Sequence, residues 1–150
     1  MTSGALAFSM PRLITIDSDI LGTLSVDSAS LLTFPRGLPG SHECRSFVLL
    51  PSERAHVYWL QSVDYSSLAF LLVDPFVFFE GYTLDLAATD LHEASPAAVS
   101  VLAIVTLPSA PGERQTANLQ GPVVIHTRLS EGTQVVLAES SYGIRESFSL

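Results

Sequence analysis

Four histidines, one cysteine and fifteen carboxylates are the residues of this chain that could transfer protons, bind a metal or act as nucleophiles. His42, His56, His92 and His126 fall at no shared ligand spacing. His42-Glu43-Cys44 is the one run of three ligand types. A zinc site needs converging side chains, whereas neighbours on an extended chain point to opposite faces. The run therefore reads as a solvated loop, with Cys44 a small residue near the surface. His126, preceded by Val124 and Ile125, reads as a satisfied or exposed strand histidine. Asp74 precedes Pro75 and shows no second acid or base beside it, so it reads as a turn former and not as half of a proton-transfer pair. Phosphate loops, a nucleophile elbow and a zinc-protease helix motif all fail to match. No catalytic, metal-binding or cofactor-binding set emerges.

Composition narrows the remaining classes. The chain has 150 residues, enough for one domain with a sizeable core. Its net charge is -8, and all seven cations are arginines spaced singly along the sequence. Direct nucleic-acid binding wants a basic patch and is not expected. The hydrophobic fraction of 47% argues against disorder. The longest clean apolar run, Leu68 to Val73, is far short of the roughly 20 residues that span a bilayer. No basic stretch precedes an apolar one near the start, and a single cysteine cannot form an internal disulfide. A cytoplasmic monomer without membrane association is expected. Residues 1–11 read as a loose leader, with Met10 an alternative start, and residues 12–150 as one domain.

The elements that must hold any site are short and broken by Gly and Pro, which predicts an all-β sandwich or barrel. Leu13 to Asp17 and Gly22 to Asp27 alternate as half-buried strands, with Ile14, Ile16, Leu24 and Val26 inward. Leu31 to Phe34 is a third strand. It leads into Leu38-Pro39-Gly40-Ser41, a type II turn with Gly40 at positive φ. Phe47 to Leu50 and His56 to Val63 follow. Ser67 to Val73 and Val99 to Leu107 are apolar on both faces and read as covered strands. Pro111-Gly112 signals another type II turn. Pro122 to Thr127 and Thr133 to Glu139 read as a hairpin turning at Glu131-Gly132, with Gly132 left-handed. Ile144 to Leu150 closes the chain. Leu84, Ala87, Ala88 and Leu91 fall at helical spacing, which predicts one short helix near 84–94.

Four sequence blocks, in order, resemble the flagellar assembly factor FliW family. They are Phe34-Pro35-Arg36-Gly37-Leu38-Pro39-Gly40, the stretch LQSVDYSSLAFLLVDPFVFFEGY from Leu60 to Tyr82, AIVTL from Ala103 to Leu107, and TANLQGPV from Thr116 to Val123 followed by GTQVVL from Gly132. The motif positions are Phe34, Gly37, Pro39, Gly40, Leu60, Gln61, Ser62, Asp74, Pro75, Asn118, Leu119 and Pro122. Departures are Ser41 where the family often has an aromatic and Gly121 where Ala is common. The resemblance implies a compact antiparallel β-barrel-like domain and a binding protein, not an enzyme. It implies two partners: flagellin before export, and the RNA-binding translational repressor CsrA, whose capture relieves repression of flagellin mRNA.

An acidic domain suits a basic partner, since complementary charge steers association. Asp64, Asp74, Glu80 and Asp85 are the candidate acids. The aromatic run cannot bury every ring on one face, so Phe76 and Phe79 are the candidates for an exposed docking patch, with Tyr82 beside them. Asn118 and Gln61 read as amides bonded within the fold. Three readings compete with this one. A flagellin-only export chaperone would lack the CsrA arm. A small-ligand or metal-binding β-barrel enzyme of cupin type would want a His-x-His pair, which this sequence does not contain. A purely structural module would keep one constant partner.

Overall fold

The computed structural model describes residues 12–85 and 98–150. Its strands are β1 (Leu13–Ser18), β2 (Gly22–Asp27), β3 (Leu31–Thr33), β4 (Ser46–Pro51), β5 (Val57–Ser62), β6 (Ala69–Val73), β7 (Val99–Thr106), β8 (Thr116–Ala117), β9 (Val123–His126), β10 (Glu131–Gln134) and β11 (Glu146–Ser147). One helical turn, α1 (Pro75–Phe78), follows β6. The strands expected from alternation are all present, most with ends displaced by one or two residues.

Strands β3, β4, β5, β6, β7, β9 and β10 pair in a ring, with β7–β9 and β10–β3 closing it. The result is a closed seven-stranded barrel, so the all-β, barrel-like expectation holds. Six of the seven junctions are antiparallel. The seventh, β10 on β3, is a parallel contact at Glu131 and Thr33, tied by the Thr33 N–H to the Ser130 carbonyl at 2.9 Å.

Alternation fills the barrel. Phe47, Leu60, Leu72, Leu102, Val123 and Ile125 come from successive ring strands and share one buried cluster with Phe34 and Leu38. Phe34 meets Phe47 edge-to-face at 5.3 Å. The other face of the sheet is covered in two places. The β1–β2 hairpin lays Ile16 and Val26 on Val48. Tyr82, Leu119 and Phe148 cover Val57, Val73, Ala103 and Val105. Strand β6 is therefore sandwiched, which explains why its sequence is apolar on both faces.

Four expectations need correction. Gly132 is not left-handed: the positive-φ residue of that turn is Ser130, at 51°. Gly132 instead sits in β10, where an added Cβ would collide with the Phe34 ring. Its value is the absence of a side chain. The strand after it ends at Gln134, not Glu139, although the Val135 and Leu137 N–H groups still donate to the Pro122 and Gln120 carbonyls. Cys44 is not near the surface but buried in the barrel cluster. Burial raises its thiol pKa, and the charges of Glu43 and Asp64 add to that. Leu84 and Asp85 are described and are not helical, while the rest of the expected 84–94 helix lies outside the described residues, as do His92 and the 1–11 leader.

Candidate functional site

The Asp74-Pro75 pair that starts α1 organises the end of the barrel where β6 stops. Asp74 is the N-cap: its carboxylate accepts the Phe76 N–H at 2.9 Å. Pro75 is buried at the first helical position, where its missing N–H costs nothing. The cap fixes the direction of the next two side chains. Phe76 and Val77 are each 50% exposed. Beside them, Leu49, Tyr58, Val101, Leu102 and Leu84 line a cleft of about 500 Å³, with Asp74 and Phe76 on its wall. An open apolar cleft next to exposed apolar side chains is a docking geometry.

Below Phe76 the packing is dense. Its ring lies 5.3 Å from Tyr82, and Tyr82 lies 4.6 Å from Tyr142. The Tyr82 hydroxyl donates to the Leu119 carbonyl at 3.1 Å, and the ring is only 5% exposed. Tyr82 thus supports the surface from beneath and does not face it. Phe79 is half-buried and stacks on Phe148 at 5.2 Å. Phe76 is the exposed aromatic of the run. Val77, its equal in exposure, carried no sequence signal beyond its place among three phenylalanines.

The candidate acids divide between two places. Asp74, Glu80 and Asp85 lie on the α1 side, Glu80 and Asp85 exposed. Asp64 lies in the β5–β6 loop, at the other end of β6. Five strand residues separate the two ends, about 16 Å at 3.3 Å per residue. The four carboxylates are not one cluster.

Burial raises the Tyr82 pKa to about 12, with Tyr142 contributing a smaller part. Unfolding would return it to the ordinary value of about 10. A phenol held protonated in the fold supplies stability that declines as pH rises above about 10. Alkaline absorbance titration is expected to show a late phenol that is lost in Tyr82→Phe. That variant should also lose about 1 kcal/mol, because the Leu119 carbonyl is left unpaired. A Tyr82→Phe titration identical to the parent would contradict this packing.

The motif residues have structural roles. Asn118 accepts the Gly121 N–H at 2.8 Å, a turn amide as its sequence context suggests. Gly40 has φ 79° and the Ser41 N–H returns to the Leu38 carbonyl at 2.9 Å, closing the expected turn. Gln61 and Ser62 are fully buried and bond within the β5–β6 loop. His42 Nδ1 lies 3.3 Å from the Arg36 carbonyl, and no metal-competent group of three or more His, Cys, Asp or Glu occurs among the described residues. His126 Nδ1 is buried without a hydrogen-bond partner. None of the helices among the described residues is long and apolar enough to cross a membrane.

These features define a class: a closed, filled β-barrel with an open, largely apolar cleft and two exposed apolar side chains at one end. Comparison with known proteins specifies it. The family model described as FliW protein matches residues 15–148. The flagellar assembly factor FliW of Moorella thermoacetica is 40% identical over 137 residues, covering 85% of this chain and 87% of that protein. That of Bacillus subtilis is 38% identical over 125 residues, covering 81% and 87%. A crystal structure of the flagellar assembly factor FliW superposes with a TM-score of 0.80 at 31% identity, covering 89% of this chain and 96% of that one. The chain belongs to the FliW family of flagellar assembly factors.

Proposed function

We propose that this protein is a cytoplasmic binding protein that holds flagellin before export and, when free of flagellin, captures CsrA and so relieves repression of flagellin mRNA. The observation that carries the flagellin arm is the pair Phe76 and Val77, held half-exposed on a capped turn beside the 500 Å³ cleft. Flagellin ends are helical and apolar, and an amphipathic helix lays its apolar face on such a surface. The repressor arm rests on charge. A net charge of -8 attracts a basic RNA-binding protein and repels the phosphate backbone that competes for it.

Phe76→Ser tests the flagellin arm. Truncating one central aromatic anchor is expected to weaken flagellin binding by about tenfold or more, measured by calorimetry, while the lost Phe76–Tyr82 contact lowers the thermal midpoint by only a few degrees and the fold persists. Unchanged affinity would remove this surface from the proposal. Binding to CsrA is expected to weaken as salt rises from low to physiological ionic strength. If flagellin binds and CsrA does not, the protein acts as an export chaperone alone.

A further inference from the structure

At the other end of the barrel, two loops are built alike. In the β1–β2 turn, the Ser18 hydroxyl accepts the Ile20 and Leu21 N–H groups at 3.2 and 2.9 Å. In the β5–β6 loop, the Ser62 hydroxyl accepts the Asp64 and Tyr65 N–H groups, both at 3.1 Å. Gln61 Nε2 adds contacts of 3.1–3.4 Å to the carbonyls of Ser62, Tyr65, Ser66 and Leu68. The Asp19 N–H then donates to the Ser66 carbonyl at 2.9 Å and joins the loops. Ser18, Gln61 and Ser62 are the buried polar residues among the described residues, and all three serve this corner.

What the corner presents is apolar and acidic. Ile20 is 54% exposed and Tyr65 52%. Asp17, Asp19 and Asp64 are exposed around them, and Glu43 is exposed in the adjoining 34–45 loop. Arg36, Arg45 and His42 stand in that same loop. Asp19 and Asp64 are the chain neighbours of the two large apolar residues. With Asp17 and Glu43, the four carboxylates outnumber Arg36 and Arg45 on these loops, whose β1–β2 and β5–β6 backbone is held by the bonds above. A fixed surface loses little entropy on binding. Tyrosine on such a surface is a typical anchor, and the surrounding charge selects a cationic occupant.

We infer that the Ile20–Tyr65 corner is a second docking surface, which takes a protein segment with arginine or lysine flanking apolar side chains. It is separate from the Phe76 surface, and its test does not depend on flagellin or CsrA. The probe is a capped synthetic peptide of three Leu-Arg-Arg-Leu repeats, titrated into isotopically labelled protein and followed by backbone NMR. Its twin carries Gln in place of every Arg. Saturable shifts confined to residues 17–21, 42–45 and 62–68 are expected with the arginine peptide, and weak or no shifts with the twin. Tyr65→Ser should weaken binding about tenfold and Asp64→Asn about threefold, with the rest of the spectrum intact. Asp74→Asn should leave affinity unchanged. Shifts centred on Phe76, shifts spread over the whole acidic surface, equal binding of the twin, or no saturation would each overturn the inference.

Discussion

Gln61→Glu is expected to destabilise the protein by roughly 3–5 kcal/mol at neutral pH, because it buries an unpaired charge. The side chain is fully buried, and its Nε2 faces four backbone carbonyl oxygens. A carboxylate there would point negative charge at negative dipoles. Neutral glutamic acid could satisfy one of those carbonyls. The folded state should therefore hold the proton, with a pKa raised above the ordinary value of about 4.3. For a raised carboxyl, stability is greatest below the unfolded pKa and is lost as pH rises through the folded one. Denaturant unfolding from pH 4 to 8 should show the variant losing stability relative to the parent as pH rises. Gln61→Leu should cost only about 1–3 kcal/mol. The carbonyls of Tyr65, Ser66 and Leu68 accept other backbone N–H groups, and the parent Oε1 already lacks a partner. A Glu variant no worse than the Leu variant, or a flat pH dependence, would contradict this geometry.

Gly37→Ala is expected to cost roughly 2–4 kcal/mol, and Gly40→Ala in the same turn only about 1–2. Both glycines have positive φ, 66° and 79°. They differ in what a Cβ would meet. At Gly37 it would lie 2.6 Å from the Cα and carbonyl oxygen of His42, which are backbone atoms with little room to yield. At Gly40 nothing lies within 4 Å. The difference between the two variants isolates the steric part from the conformational part. Equal costs in denaturant unfolding would show that the 37–42 approach is looser than described.

Much of the barrel was legible because one face of each strand is buried and the pleat has a period of two. Ile16, Leu24 and Val26 follow that rule, and so does the doubly covered β6. The type II turns at Gly40 and Gly112 were legible because each needs a positive φ, and both have it. The role of Gly132 was hidden: a strand glycine that makes room for a ring is decided by Phe34, nearly a hundred residues away in sequence. Cys44 was misplaced for a similar reason, since loop residues show no period and its burial follows from how the 34–45 loop closes the barrel. The parallel β10–β3 contact comes from ring closure, which no local pattern encodes.

The candidate site was partly legible. Asp74-Pro75 carried the signature of a helix start, although the turn it caps was not read from it. The aromatic run announced too many rings for one face, and Phe76 is the exposed member. The division of the acids was invisible, because residues 64 and 74 are close in sequence yet lie at opposite ends of β6. The pairing of Ser18 with Ser62 was hidden too, since a buried serine holding a loop looks in sequence like any polar turn residue.

The most direct test of the account is displacement of a labelled flagellin-mRNA leader from CsrA, followed by fluorescence anisotropy. Adding this protein is predicted to lower the anisotropy, and adding monomeric flagellin afterwards to restore it. Anisotropy unaffected by this protein at concentrations that bind flagellin would contradict the two-partner account.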